Sequence, residues 1–288
     1  RFDALASLLP IVRAQKPLIH CITNYVTAND CANAILAIGS APIMADDLRE
    51  VADIVKISTA LVLNIGTLNS RTVESMIAAG KKANALGIPV IFDPVGAGAS
   101  AYRNETTQRL LQNVRMAVIR GNMSEVSFIA GLEVSTKGVD SAIEDEAKDP
   151  VAIANKVAKE HNCIAAITGV TDTVSDGCRV IRIENGTATL SKITGTGCMS
   201  TALIGAFCGT IFASAATSAN YKNGTAASSA IDYFDSTVAG IAAMGIAGEI
   251  AEFQSQGKGT GSFHTALLDA ISQMDAATFR EKAKINEV

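Results

Sequence analysis

Four short apolar runs, each ended by glycine or a polar residue, mark the chain up to residue 169. They are ALVLNIGT (60–67), IPVIFDPVGAG (88–98), MAVIRGN (116–122) and CIAAITG (163–169). Continuous apolar runs of this length are typical of parallel β-strands that are buried on both faces. The first three runs begin 28 residues apart (88 minus 60, and 116 minus 88), which is the size of one strand, helix, strand unit. The pattern therefore predicts a wound α/β sheet.

The segment between the first two runs, NSRTVESMIAAGKKANALG (69–87), carries helix signals at both ends. We expect Ser70 to cap this helix and Glu74 to lie in its first turn, and either Gly80 or Gly87 can end it.

Turn signals change the pattern after residue 169. Short apolar stretches separated by SDG and ENG in 171–193 predict antiparallel hairpins at the edge of the sheet. Beyond residue 198 the pattern is helical to the end, and Ser262 is expected to cap one of these helices. The acidic stretch 137–150 is interpreted as a solvated surface insertion.

Composition agrees with a folded chain of one unit. Its 288 residues are 48% hydrophobic and 18% charged, and no repeat, low-complexity tract or linker divides them. We therefore expect a single α/β domain, 1–288, with helices on both faces of a mostly parallel sheet and antiparallel edge strands.

Charge and cysteine content narrow the class of partner. A net charge of −4 with scattered basic residues gives no footprint for nucleic acid or an anionic membrane, and favours a small-molecule partner. The six cysteines lack metal or disulfide-scaffold spacing, and the amino-terminal residues lack a signal-peptide pattern. These features predict a cytoplasmic protein with reduced thiols.

A long uncharged stretch runs from Lys192 to Lys222 and has the length of a membrane span. Alanine, glycine, serine and threonine dominate it, and such weakly apolar segments rarely insert into a bilayer. We interpret it as a buried helix that packs closely through small residues such as Gly205 and Gly209.

Polar residues that carry chemistry follow the predicted strands. They are Asn64, Gly66 and Thr67 after the first run, Asp93 after the second, Arg120, Asn122 and Glu125 after the third, and Thr168 and Gly169 after the fourth. Ligands of open α/β sheets bind beyond the carboxyl ends of the strands, so these residues predict a site at one rim.

The same rim has the parts of a phosphate-transfer site. In TGTGC (194–198), Gly195 and Gly197 allow backbone amides to turn toward an anion at the start of the following helix. Arg120 supplies a cation, and Asp93 and Glu125 are candidate ligands for magnesium.

Other interpretations remain open at this point. Asp93 and Glu125 can equally be a strand-end cap and a first-turn helix acid. Cys198 at a helix amino terminus is expected to have a lowered pKa, which allows a thiol-dependent hydrolase. GAGASA (96–101) lacks the acidic residue of a dinucleotide site, and the chain has no P-loop motif.

Six segments together resemble the hydroxyethylthiazole kinase family. They are PLIHCITNYVTANDCANAILAIGSAPIMA (17–45), LVLNIGTL (61–68), DPVGAGA (93–99), IRGNMSE (119–125), ITGVTDTVSDG (167–177) and ITGTGCMSTALIGAF (193–207). The resemblance implies a ribokinase-like fold and a homotrimer with sites at subunit contacts. It also implies magnesium-dependent transfer of the ATP γ-phosphate to the hydroxyl of 4-methyl-5-(2-hydroxyethyl)thiazole. Another small alcohol, such as a hydroxymethylpyrimidine, and a non-catalytic nucleotide sensor are the alternatives on the same scaffold.

The resemblance and the strand-end positions assign roles to particular residues. The residues expected to contact the acceptor alcohol are Asn24, Met44, Gly66, Gly195 and Cys198. Those expected to bind ATP are Arg120, Asn122, Thr168 and Gly169, and those expected to hold magnesium are Asp93 and Glu125. The residues expected to take part in catalysis are Cys198, Gly195, Gly197 and Arg120. Related sugar kinases have an aspartate base where this chain has Cys198, so the thiol is expected either to act as a weak base or only to position the alcohol.

Overall fold

A nine-stranded sheet forms the centre of the computed structural model, which describes residues 2–132, 149–217 and 232–288. The strands are β1 (Leu18–Ile22), β2 (Ala41–Ile43), β3 (Ala60–Asn64), β4 (Val90–Asp93), β5 (Val118–Asn122), β6 (Ile164–Thr168), β7 (Asp172–Ser175), β8 (Val180–Ile183) and β9 (Ile285–Glu287). Their order across the sheet is β2-β1-β3-β4-β5-β6-β7-β8-β9. The first six strands are parallel, and β7, β8 and β9 pair antiparallel at one edge. The predicted fold class is confirmed.

Helices cover both faces of the sheet. They are α1 (Phe2–Gln15), α2 (Ala28–Ile38), α3 (Val51–Ile57), α4 (Ser70–Leu86), α5 (Ala101–Asn113), α6 (Met123–Ile129), α7 (Pro150–His161), α8 (Thr196–Thr217), α9 (Tyr233–Gln254), α10 (Thr260–Gln273) and α11 (Ala276–Lys282). Two apolar clusters lie on opposite faces, and β3 alternates between them: Val62 belongs to one, and Leu61 and Leu63 belong to the other. The alternation explains why the strand is apolar at every position before its last residue, Asn64.

Within the uncharged stretch, the described helix α8 forms part of the core. By length and composition α8 and α9 are both apolar enough to cross a membrane, but 67% and 89% of their apolar windows are buried within the fold. A Cβ added at Gly205 would lie 2.7 Å from Cγ2 of Val62, and one at Gly209 would lie 2.7 Å from Oγ1 of Thr59. Close approach of α8 to the sheet therefore requires these two glycines, as the sequence predicts.

Two predicted helix caps were wrong, and one of the two predicted ends of α4 is confirmed. Asn69, not Ser70, caps α4, because its side chain accepts a hydrogen bond from the amide of Thr72. Gly87 ends α4 with a φ of 71°, whereas Gly80 lies inside the helix. The helix assigned to Ser262 begins at Thr260, after Gly259, without a side-chain cap.

Strand predictions failed where strands are short or interrupted by polar residues. β1 contains His20, β2 has three residues, and β9 lies in a region predicted to be helical. The SDG turn joins β7 to β8 as predicted, but a 3₁₀ helix (Ala188–Lys192) follows ENG, and β8 pairs with the distant β9 instead. All but the last two residues of the acidic stretch 137–150 lie outside the described residues.

Candidate active site

The carboxyl ends of β3, β4, β5 and β6 lie side by side. Asn64 pairs in register with Asp93, and Asn122 pairs with Thr168. The amino terminus of α8, which begins at Thr196, lies at the same rim, since Cys198 contacts Asn64. The rim predicted from the strand ends is thus formed by the folded chain.

Asp93 is the fully buried carboxylate of this rim. Its Oδ2 accepts hydrogen bonds from Asn64 Nδ2 at 3.1 Å and Thr201 Oγ1 at 2.8 Å, and lies 3.6 Å from Nη1 of Arg120. Its Oδ1 is buried without a hydrogen-bond partner among the described residues. Burial raises the pKa of Asp93, and the guanidinium of Arg120 opposes that rise.

Arg120 joins three of the predicted segments. Its guanidinium contacts Asp93, donates a hydrogen bond to Thr168 Oγ1, and lies against Gly197, where an added Cβ would be 2.7 Å from Nη1. The missing side chain at Gly197 therefore makes room for the cation beside the TGTG loop. Gly195 has a φ of 89°, and its carbonyl accepts the amide of Met199.

Glu125 forms a capping box at the start of α6. Its Oε2 accepts the amide of Asn122 at 2.8 Å, and Asn122 Oδ1 accepts the amide of Glu125 at 2.9 Å. Its Oε1 accepts the amide of Gly96 at 2.8 Å. Burial raises the pKa of Glu125, and the nearby charge of Asp93 raises it further. The helix-acid interpretation is therefore correct, and the carboxylate also faces the rim.

Cys198 Sγ accepts hydrogen bonds from two side-chain amides, Asn24 Nδ2 at 3.4 Å and Asn64 Nδ2 at 3.2 Å. The expectation of a lowered pKa was wrong: burial raises the pKa of this thiol, and the charge of Asp93 raises it further. All three histidines lie in the described ranges, and none of them hydrogen-bonds to Sγ there. A neutral thiol without a histidine base is a poor nucleophile, which disfavours the hydrolase.

Asn24 and Gly66 form the wall beside this thiol. Asn24 Nδ2 also donates to Asn64 Oδ1 at 2.9 Å, and the amide of Gly66 donates to the same oxygen at 2.9 Å. A Cβ at Gly66 would lie 2.8 Å from the Asn24 side chain. Met44 follows the edge strand β2 and is 38% exposed.

The turn after β6 is held by a second buried carboxylate. Asp172 Oδ1 accepts the amide of Gly169 at 2.9 Å, next to Thr168. Burial raises the pKa of Asp172 to about 6. Asn64 was predicted at the rim from its strand end but without a specific role, and Asp172 and Thr201 were not predicted as site residues. Thr201 lies three residues after Cys198, on the same face of α8, and this spacing was the available signal.

His20 supports the segment that follows Met44. The ring is fully buried in β1, its Nε2 lies 2.7 Å from the carbonyl oxygen of Ala45, and its Nδ1 has no hydrogen-bond partner in the described part of the chain. Burial lowers the pKa of His20 below its ordinary value of 6.5. The geometry is that of a neutral imidazole whose Nε2–H donates to Ala45.

This burial predicts a loss of stability in mild acid. Because the folded pKa of His20 lies below the unfolded value of 6.5, its contribution is complete above pH 6.5 and falls as the pH drops below it. The slope approaches about 1.4 kcal/mol per pH unit for one proton. We expect His20→Gln to flatten the dependence, measured by urea unfolding from about pH 7.5 to about pH 5. An unchanged slope of unfolding free energy against pH in this variant would contradict the role of His20.

Asp172 supplies a control of opposite sign. Its raised pKa of about 6, against an ordinary value of 3.8, means that the folded state gains stability as the pH falls through this window. Asp172→Asn should therefore steepen the acid loss that His20→Gln flattens.

Comparison with known proteins places the chain in a family. The family model described as the hydroxyethylthiazole kinase family matches residues 9–277. A protein named hydroxyethylthiazole kinase from Ruminiclostridium cellulolyticum is 55% identical over 285 residues, covering 99% of this chain and 97% of that one.

Solved structures agree. A hydroxyethylthiazole kinase protein from Pyrococcus horikoshii has a TM-score of 0.82 at 35% identity, covering 99% of this chain and 98% of the other. A ribokinase-like superfamily protein from Enterococcus faecalis has a TM-score of 0.58 at 8% identity, covering 92% and 89%, and shares the fold alone. The resemblance of the six segments is confirmed, and the chain belongs to the hydroxyethylthiazole kinase family.

Proposed function

We propose that the protein transfers the γ-phosphate of ATP to the hydroxyl of 4-methyl-5-(2-hydroxyethyl)thiazole. The observation that carries this proposal is the meeting of Asp93, Arg120 and Cys198 at the amino terminus of α8. A carboxylate, a cation and a glycine loop at a helix start are the parts that phosphoryl transfer uses. The family of the chain supports the substrate.

The nucleotide is proposed to bind along Arg120, Asn122, Thr168 and Gly169. Arg120 lies between Thr168 and Gly197, so its guanidinium is held where it can share the charge of a phosphoryl group entering the TGTG loop. The helix that follows is 22 residues long, and its amino-terminal amides favour the same negative charge.

Magnesium is proposed to be held by Asp93 and Glu125 together with the ATP phosphates. Within the described ranges no group of three or more His, Cys, Asp and Glu side chains could hold a metal alone. Magnesium commonly uses one or two carboxylates plus phosphates, which fits this pair. The unpartnered Oδ1 of Asp93, and the charge of Asp93 acting on Glu125, both favour a cation here. When bound, the metal would neutralise phosphate charge.

The acceptor alcohol is proposed to lie beside Asn24, Gly66, Gly195 and Cys198. Two amides hold the thiol in place, and its raised pKa keeps the proton on sulfur at neutral pH. Cys198 therefore positions the hydroxyl. Alignment and charge stabilisation carry most of the catalysis in such a reaction.

Replacing Cys198 by serine should consequently lower kcat by only about tenfold or less, well below the loss of about a hundredfold or more that removing a general base causes. Serine keeps a small polar atom between the two amides. The measurement is steady-state ADP release, with ATP binding as the control for folding. Complete loss of turnover with ATP binding intact would defeat the positioning role.

A homotrimer with active sites at subunit contacts is the proposed assembly. Tyr25, Val26 and Leu48 are half exposed or more, and Tyr25 and Val26 follow Asn24 directly. Exposed apolar side chains next to a site are typical of a surface that a second subunit covers. Such a contact would also give Met44 its proposed role in binding the acceptor alcohol. Light scattering after size-exclusion chromatography tests the mass of this assembly.

We further propose that residues 1–288 act as one kinase domain in the cytoplasm.

The direct test is ADP release by the purified protein with Mg-ATP, with and without hydroxyethylthiazole, beside a hydroxymethylpyrimidine. Release that depends on the thiazole alone is expected. Release with the pyrimidine alone would assign a different alcohol. ATP binding without release would favour the nucleotide sensor, and a thiol-dependent hydrolysis without ATP would favour the hydrolase.

A further inference from the structure

The side chain of Arg103 joins two loops that follow neighbouring strands of the sheet. One is the β3 loop (65–69), and the other is the β4 loop (94–100). Nη1 of Arg103 donates to the carbonyl oxygens of Ile65 and Val95, both at 2.6 Å, and Nη2 donates to the carbonyl oxygen of Gly66 at 2.8 Å. One guanidinium therefore bridges the two loops with three hydrogen bonds.

The bridge is built into the backbone of the β4 loop. Gly96 has a φ of 75°, and a Cβ there would lie 2.9 Å from Cδ of Arg103. The side chain lies across the loop in a position that a larger residue at Gly96 would block. The amide of Arg103 is itself held by the cap residue Ser100.

The contacts of Arg103 differ from those of an ordinary surface arginine. Arg103 is partly buried, and within the described part of the chain no carboxylate forms an ion pair with it. Its guanidinium instead donates hydrogen bonds to three backbone carbonyl oxygens. A planar fork of donors suits this task, because it can reach several acceptors in a fixed geometry.

Each loop has a position in the site. In the β3 loop, Gly66 packs against Asn24 and donates to Asn64, on the acceptor side. In the β4 loop, the amide of Gly96 donates to Glu125 Oε1, on the carboxylate side. Arg103 therefore connects the loop on the acceptor side with the loop on the carboxylate side.

We propose that Arg103 is a positioning residue that fixes the distance between the acceptor wall and the carboxylate side of the site. This inference rests on the proposed function, because it takes the acceptor to lie beside Asn24 and Gly66. Misplacement of reacting groups by about 1 Å can cost about a hundredfold in rate, so a loosened bridge should be visible in kinetics.

Arg103→Met and Arg103→Lys form the test, with Arg109→Met as the matched control. Arg109 lies on the same helix and pairs with the exposed Glu74 at 2.6 Å, away from both loops. We expect Arg103→Met to raise KM for the thiazole alcohol about tenfold and to lower kcat about tenfold or more, with KM for ATP little changed. Lysine should recover little, since its donors all lie on one nitrogen and cannot reproduce the planar fork that reaches three carbonyl oxygens.

Hydrogen exchange of the folded variants separates the possible failures. Faster exchange confined to the β3 and β4 loops, together with the kinetic split, is the expected result. Unchanged exchange in Arg103→Met would overturn the bridge. Faster exchange with wild-type kinetics would overturn its role in positioning, and equal rises in both KM values would do the same. Failure of the proposed function itself would appear earlier, as wild-type protein without thiazole-dependent turnover.

Discussion

Asp93→Asn should lower kcat by about a thousandfold while the protein stays folded. The substitution keeps the shape of the side chain and leaves an oxygen that can accept from Thr201, but it removes the negative charge. A divalent cation bound here would then lose a carboxylate ligand and neutralise the phosphate charge less well, a loss of several kcal/mol in the transition state. Burial raises the pKa of Asp93, so neutralising it also removes a desolvation cost that limits stability.

The measurement is kcat for thiazole-dependent ADP release, with the urea midpoint as the test of folding. Asp172→Asn is the matched control, because Asp172 is a second buried carboxylate at the same rim with no assigned contact to phosphate or metal. Its kcat should stay within about tenfold of wild type. A kcat of Asp93→Asn in that same range would remove Asp93 from the machinery.

Arg120→Ala should lower kcat/KM by at least about a hundredfold, equivalent to about 3 kcal/mol of transition-state stabilisation. The guanidinium has two functions here. It lies between Thr168 and Gly197, where phosphoryl charge is proposed to develop, and it forms an ion pair with buried Asp93. Since its removal leaves that carboxylate unpaired, the free energy of unfolding should also fall, by about 3 kcal/mol.

Arg120→Lys separates the two effects. Lysine retains a positive charge near Asp93 but loses the planar fork, so we expect stability close to wild type with most of the catalytic loss retained. The two variants are compared by kcat/KM and by denaturant unfolding. If Arg120→Ala kept wild-type kcat/KM, the phosphate would have to bind elsewhere on the rim.

Patterns in the sequence predicted the centre of the fold better than its edges. The runs that became β3 to β6 were visible because both faces of these strands are buried, which makes them apolar up to the polar residues near their carboxyl ends. β9 has only three residues and exposes two of them, so its pattern does not differ from that of a loop. Its partner β8 lies far away in the chain, and local patterns carry no signal for such pairing.

The functional site likewise contains contacts that local sequence patterns predicted and contacts that they did not. Parallel strands end at one rim, so Asn64, Asp93 and Thr168 could be placed together from strand ends alone. The contact of Asn24 with Cys198 spans 174 residues of chain and needs the folded coordinates. The lowered pKa expected for Cys198 considered only the helix terminus, whereas burial and the charge of Asp93 dominate.

The order of the strands also bears on how the chain folds during synthesis. Every strand from β4 onward pairs with the strand that precedes it along the chain, so the sheet can grow at one edge as translation proceeds. Short loop closures of this kind have a low entropic cost and favour fast folding. The outer edge of β8 is the exception to these short closures. It stays unpaired until β9, which begins at residue 285, has been synthesised. Ribosome-bound chains that end before that point therefore carry an open strand edge, which is where self-association of incomplete chains would begin.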